Sequence, residues 1–312
     1  MRRRPRRAVE TAAALALAAL VVACGSSGGE RGSSQPQGAE LNLTLGTKDF
    51  TESFVIGELY RQALAANGYN VRLRRNIGST EVVDEALQDG DIDAYPEYLG
   101  VAATVVAGAD VEGKSAQETY DVARDFYKSR GQAISTQTPY ENVDAIATTR
   151  FFAQRGGLRT VGDLGRLRRF TLGARPEFEG RQQGLKGMQT VYGLTNATFK
   201  PLAIGSQYIA LDRGDIDAAN VFSTDGQLAS GDYKVLEDTK RLFGYQHVAL
   251  VIDRKKLDRL GGARFMRIIH GVNRRLTDDE VIAMNRSVEI DDVDPATVAE
   301  RFLRQNGLLR AQ

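Results

Sequence analysis

The chain has 312 residues but no tryptophan, one cysteine and two histidines, and each shortage closes a route. A lone cysteine, Cys24, cannot form an internal disulfide, so no disulfide framework holds this protein together. His247 and His270 show no His-x-x-x-His spacing and stand apart from the cysteine, so a zinc site lacks ligands. The body contains no Gly-x-Ser-x-Gly, and no nucleophile–base set is recognisable in it. Surplus positive charge is also missing. The net charge is +1, yet the first ten residues alone hold five arginines against one glutamate, so the rest is slightly acidic. That excludes the clustered Lys and Arg of a nucleic-acid footprint, and the scattered arginines read as a solvated surface.

What is present begins with that basic start, followed by the apolar run 11–23 and Cys24. The run is short of the roughly 20 residues that span a bilayer as a helix, and it fits a secretory signal. Val21-Val22-Ala23-Cys24 is similar to the bacterial lipobox, which predicts a signal peptide over 1–23 and lipidation of Cys24. The paired arginines leave general and twin-arginine export both open. Residues 24–39, rich in Gly, Ser and Gln, have too little apolar content to fold and suit a flexible tether. The expected location is extracytoplasmic, anchored to the cell membrane by lipid.

The body is organised by a repeat. Ile77-Gly78-Ser79-Thr80 and then Gly90-Asp91-Ile92-Asp93-Ala94-Tyr95 return as Ile204-Gly205-Ser206 and Gly214-Asp215-Ile216-Asp217-Ala218. Leu45-Gly46-Thr47-Lys48 precedes the first copy and Leu172-Gly173-Ala174-Arg175 the second. A period near half the chain is too long for a solenoid and predicts two similar α/β lobes. Leu41, Leu43 and Leu45 alternate as in a half-buried strand, and Val55, Ile56, Leu59, Ala63 and Leu64 follow at helical spacing. Val71 and Leu73 open a second strand expected to reach Ile77-Gly78, and Ser79-Thr80 stand where a helix N-cap belongs. The order predicts mostly parallel sheets covered by helices, with ligands bound at the carboxyl ends of strands. The apolar segments 141–149 and 247–252 read as crossings between lobes. Lobe one is then 40–142 with 246–312 and lobe two 143–245, a type II two-lobe arrangement whose crossings form a hinge. Thr277-x-x-Glu280 and Asp294-Pro295 start helices in the tail.

Two motifs invite chemistry and fail on physical grounds. Residues 108–115 match the P-loop spacing, but Asp110 and Glu112 would put carboxylates into a nest meant for phosphate. The Asp-rich turns 89–93 and 212–217 lack the spaced oxygen ligands of a calcium loop and read as solvated turns. No cofactor or metal is expected. Instead, tyrosine and phenylalanine gather at the loop edge: Tyr95, Tyr98, Tyr140, Phe178, Phe222 and Tyr245. Converging aromatic faces hold quaternary ammonium groups by cation–π attraction, and Lys48 and Arg181 suit a carboxylate at the ligand's other end.

Leu45-Gly-Thr-Lys-Asp-Phe-Thr-Glu52, Gly57-Glu-Leu-Tyr60, Pro96-Glu-Tyr-Leu-Gly100, Gly173-Ala-Arg-Pro-Glu-Phe178 and Asn220-Val-Phe-Ser-Thr-Asp-Gly226 together carry a resemblance. Over nearly all of 40–312 the chain resembles the glycine betaine/choline/carnitine-type solute-binding lipoproteins of osmoprotectant ABC transporters. The resemblance implies a type II periplasmic-binding-protein fold, no enzymatic activity, a permease and its ATPase subunit as partners, and a monomer. It puts the ligand cage near Tyr98, Asp144, Phe222 and Tyr245, and the carboxylate contacts at Lys48 and Arg181. Thr51 and Thr224 lie in matched blocks and join the expected ligand-binding set, as do Ser79 and Thr80 at a helix N-terminus. Where full cages carry tyrosine this chain has Asp144, a charge that would suit a net cation such as choline. An amino-acid-like solute, an extracytoplasmic enzyme and a sensor lipoprotein stand as rival readings.

The leader makes one prediction. Cys24→Ser is expected to abolish incorporation of labelled fatty acid in a bacterial host and leave the precursor uncleaved; labelled, processed protein would contradict the lipobox reading.

Overall fold

The repeat has a packing origin. In the computed structural model, which describes residues 41–309, Gly46 and Gly173 lie at the carboxyl ends of equivalent strands, as last and last-but-one residue. A Cβ on Gly46 would lie 2.6 Å from Ile92 Cδ1, and one on Gly173 2.6 Å from Ile216 Cδ1. Each Leu-Gly pair is thus the floor on which the isoleucine of Gly-Asp-Ile-Asp rests. The second aspartates have matching work: Asp93 Oδ2 accepts from Thr44 N at 2.7 Å, and Asp217 Oδ2 from Thr171 N at 2.7 Å. These two carboxylates are therefore pins between neighbouring segments of a sheet rather than solvated turn charges. The leader, Cys24 and the tether lie outside the described residues.

The strands are β1 (Asn42–Gly46), β2 (Asn70–Arg74), β3 (Ala94–Tyr98), β4 (Gln132–Ile134), β5 (Asp144–Thr149), β6 (Phe170–Ala174), β7 (Ala197–Pro201), β8 (Ala218–Phe222), β9 (Tyr233–Leu236) and β10 (Val248–Asp253). They form two five-stranded sheets, ordered β2-β1-β3-β10-β4 and β7-β6-β8-β5-β9. In each, three strands are parallel and the fourth, β10 or β5, runs antiparallel to both of its neighbours. The sheets are mixed where the repeat alone predicted mostly parallel ones, because each takes a strand from beyond its own repeat copy. The chain enters the second sheet at Asp144 and returns to the first at Val248, and Glu141 and His247 meet in an isolated antiparallel bridge.

Each sheet is covered on both faces, as the buried inner strands β8 and β10 require. Leu43 and Leu45 pack with Val55, Ile56 and Leu59 of the Thr51–Ala65 helix and with Phe265, Ile269 and Phe302 of the C-terminal helices. On the opposite face Val83, Ile92, Tyr95 and Tyr127 form a separate cluster. The second sheet repeats this arrangement with Leu172, Phe178 and Met188 on one face and Tyr208, Ile216 and Val221 on the other.

Local differences from the sequence reading have local causes. β2 stops at Arg74 because Asn76 takes φ 58° and Ile77 N donates to Thr47 O, 3.1 Å, turning the chain over the end of β1. Ser79 holds the N-cap position of the Thr80–Gln88 helix, but its hydroxyl donates to Glu81 Oε2 at 2.6 Å instead of capping. The P-loop-like stretch ends in a capping box, Ser115 with Glu118, that opens the Ala116–Ser129 helix. Tyr95, Tyr140 and Phe178 are fully buried core residues rather than site aromatics.

The lobes touch along a seam where the 223–226 turn of the second meets the Asp278–Glu289 helix of the first. Asn285 Nδ2 donates to Thr224 O, 2.9 Å, and Gly226 N to Glu289 Oε2, 2.8 Å. A Cβ on Gly226 would lie 2.6 Å from Arg286 Cα, so backbone meets backbone there. Gly226→Ala is expected to destabilise the fold by about 1–3 kcal/mol, the usual cost of overpacking. Gly180→Ala, with nothing within 4 Å of its Cβ, is the control. Thermal melts that do not separate the two would contradict this seam.

Candidate functional site

The carboxyl ends of the strands face a cleft of about 430 Å³, open solvent at its mouth included. Lys48, Ser79, Thr80, Tyr98, Asp144, Arg181 and Phe222 line it, seven of the residues expected from sequence. Thr51, Thr224 and Tyr245 lie outside this lining. Thr224 instead donates to Glu52 Oε2 at 2.6 Å, and the Tyr245 hydroxyl accepts from Arg241 at 3.4 Å. Thr51 begins the helix whose next residue is Glu52 and faces Glu289. Phe50, Asn142, Arg175 and Gln246 also line the cleft; the sequence reading did not single them out. Arg175 had a signal, since it is the repeat counterpart of Lys48.

The cations of the lining come with their own acids. Lys48 follows β1 by two residues and pairs with Glu97 of β3, both side chains nearly buried. Burial pushes the Lys48 ammonium below its ordinary value despite the attraction of Glu97. Arg175, just beyond β6, makes a two-pronged pair with Asp144 at 2.7 and 2.8 Å and also donates to Asn220. Burial opposes charge on Asp144, but Arg175 and Asn220 outweigh it and hold the carboxyl below its ordinary range. Asp144 is therefore not the free counter-charge expected for a ligand's cation, because the arginine two residues after Gly173 has taken it. Arg181 crosses the rim to Glu81 at 3.0 Å. Burial raises the Glu81 carboxyl, yet Ser79 and Arg181 bring it down to about 2.

Aromatic rings stand among these pairs. Phe50 lies 5.2 Å from Phe222 in a stacked arrangement and 5.6 Å from Tyr98, so rings of both lobes meet at the cleft. Lys48 Nζ sits 4.7 Å from the Tyr98 ring centre, and the Arg175 guanidinium 5.2 Å from that of Phe222. These faces already attract cations. The buried Asn142 amide lies beside the Tyr98 hydroxyl, its one side-chain neighbour for a hydrogen bond among the described residues. Gln246 receives Val101 N on its oxygen and reaches Gln183 of the second lobe at 3.3 Å. Among the described residues there is no cluster of His, Cys, Asp or Glu able to hold a metal, and no helix long and apolar enough to cross a membrane.

Two lobes of this topology, joined by two crossings around a charged and aromatic cleft, define a type II periplasmic-binding-protein fold. A family model described as the substrate binding domain of ABC-type glycine betaine transport systems matches residues 42–305, and the chain belongs to that family. It is thus an extracytoplasmic substrate-binding protein of an osmoprotectant-type ABC importer. It is 29% identical over 279 residues to a glycine-betaine-binding protein of Pseudomonas aeruginosa, covering 86% of this chain and 88% of that one. It is 26% identical to an ergothioneine transport permease/binding protein of Helicobacter pylori, with 86% of this chain matched to 48% of that longer protein. A crystal structure of a glycine betaine/carnitine/choline ABC transporter superposes with a TM-score of 0.69 at 25% identity, covering 86% of this chain and all of that one.

The seam beneath the cleft holds two neighbouring carboxyls, Asp225 and Glu289. Burial raises the carboxyls of Asp225 and Glu289 to about 7, with repulsion from Glu52 adding to both and repulsion from Asp225 adding to that of Glu289. Raised carboxyls hold protons in the folded state that the unfolded chain releases near its ordinary values of 3.8 and 4.5. Their contribution to stability is present below those values and lost as pH rises to about 7. Glu81 has the opposite sign, but acts below pH 4.5. Stability measured by denaturant titration is expected to fall from pH 4.5 to 7, and Asp225→Asn or Glu289→Gln to flatten that slope. An unchanged slope in both variants would contradict the assignment.

Proposed function

We propose that the cleft binds a small quaternary amine bearing a carboxylate, a betaine-type osmoprotectant, and that the protein delivers it to an ABC permease driven by an ATPase subunit. The observation that carries this reading is the cluster of Phe50, Tyr98 and Phe222 rings across the two lobes with Lys48, Arg175 and Arg181 in the same lining. A trimethylammonium head is bulky and weakly hydrated, and ring faces attract it without the desolvation that a small ammonium demands. A carboxylate offers two acceptors to guanidinium and ammonium donors. Pairing of Asp144 with Arg175 favours such a zwitterion over choline, and over an amino-acid-like solute needing a free acid for its ammonium.

In this reading the protein is a monomeric receptor without enzymatic activity, held at the membrane by a lipid on Cys24. The two crossings, with lobe one at 40–142 and 246–312 and lobe two at 143–245, act as the hinge. Lys48, Ser79, Thr80, Tyr98, Arg175, Arg181 and Phe222 meet the ligand, with Asn142 supplying an amide. Thr51, Thr224 and Tyr245 support the seam and rim, and Asp144 orients Arg175. Arg181–Glu81 and Thr104–Gln183 then act as rim contacts that favour the closed state.

Calorimetric titration with glycine betaine, proline betaine, carnitine and choline tests this. The carboxylated compounds are expected to bind at least tenfold more tightly than choline. Choline binding as tightly would overturn the carboxylate assignment, and no binding by any of the four would overturn the quaternary-amine reading.

A further inference from the structure

Glu97, Asp144 and Glu81 each have a cation within ion-pair distance. Glu52 has none among the described residues. It is 2% exposed, the second residue of the Thr51–Ala65 helix, and its two oxygens take four hydrogen bonds from neutral donors. Tyr98 and Tyr140 donate to Oε1 at 2.8 and 2.9 Å, and Thr224 and Asn285 to Oε2 at 2.6 and 3.0 Å. Four donors satisfy a carboxylate and leave it no proton to share. Of these partners only Tyr98 lines the cleft, and only Thr224 belongs to the second lobe. The other acids nearest to this turn, Asp225 and Glu289, are held by Tyr208 and by Gly226 N.

A phenol that donates to an anion gains electron density, and its ring face then attracts cations more strongly. The same bond fixes the ring's tilt. We propose that Glu52 is a positioning residue for ligand binding, which acts through the Tyr98 hydroxyl to orient and enrich the ring that meets the ligand's cation, and through Thr224 ties that ring to the second lobe. This rests on the reading of the cleft as a quaternary-amine site. It makes Glu52, and not Asp144, the buried negative charge to which the ligand's cation responds, at one side chain's remove.

The test is a cycle of variants titrated with glycine betaine in the purified protein. Tyr98→Phe keeps the ring and removes the bond, and is expected to weaken binding about tenfold, within the range of a desolvated cation–π contact. Glu52→Gln is expected to do the same, and the double variant to be less than threefold weaker than either. Tyr140→Phe removes a donor from the same oxygen but no ring from the cleft, and is expected to stay within twofold of the original protein. Losses that multiply in the double variant, or a Glu52→Gln affinity within twofold of the original, would overturn the proposal. If Glu52→Gln does not fold, the comparison of Tyr98→Phe with Tyr140→Phe decides, equal effects counting against it. Tyr98→Ala separates the two levels. If it leaves affinity unchanged, Tyr98 is not in the cage and the underlying reading fails. If it abolishes binding while Tyr98→Phe is neutral, the reading stands and the role of Glu52 falls.

Discussion

Everything at the cleft depends on one constraint: a cation placed at the buried end of a sheet must bring its own acid. Charge taken out of water without a partner is prohibitively unfavourable. Lys48 and Arg175 are repeat-equivalent, and the fold answers both, with Glu97 from the adjacent β3 and with Asp144 from β5. The second answer reaches into the crossing. β5 enters the second sheet antiparallel beside β8, and its first residue neutralises the arginine that follows β6. The acid that neutralises Arg175 is therefore supplied only when β5 is in place beside β8. What remains at the cleft is a set of ring faces framed by neutralised pairs, a surface that can exchange an internal contact for a zwitterion without gaining net charge.

The two lobes communicate through the turn after β8. Phe222 faces the cleft, Thr224 binds Glu52, and Gly226 is packed against the backbone of the Asp278–Glu289 helix. Three residues spaced by two thus join ligand surface, buried carboxylate and C-terminal helix. A rigid connection of this kind lets a change at the rings be felt at the seam, because close-packed elements move as units rather than deform.

Much of the fold was legible because the repeat records packing directly. Gly46 and Gly173 mark where Ile92 and Ile216 press on a strand, and Asp93 and Asp217 mark the pins between neighbouring segments. The antiparallel strands were less legible, since their partners lie 72 to 158 residues away in the chain and no local pattern names them. At the site, lining positions such as Lys48, Tyr98 and Phe222 could be named from motif blocks. The state of Asp144 could not, because an acid's role depends on which cation reaches it in space, and the repeat had pointed past Arg181 to Arg175. Tyr95 shows the converse: on β3 it packs on the face opposite to Tyr98, and one residue of register decides which ring joins which side. Glu52 was visible only as part of a block, since four donors from distant segments define it.

In the proposed receptor the ligand draws the lobes together around the aromatic rings of the cleft. The most direct test is the distance between spin labels at Gln88→Cys and Arg213→Cys, exposed ends of equivalent helices in the two lobes, in a Cys24→Ser background. Glycine betaine at saturation is predicted to replace a broad distribution with a single shorter distance. A distribution unchanged by a ligand that calorimetry shows to be bound would contradict closure.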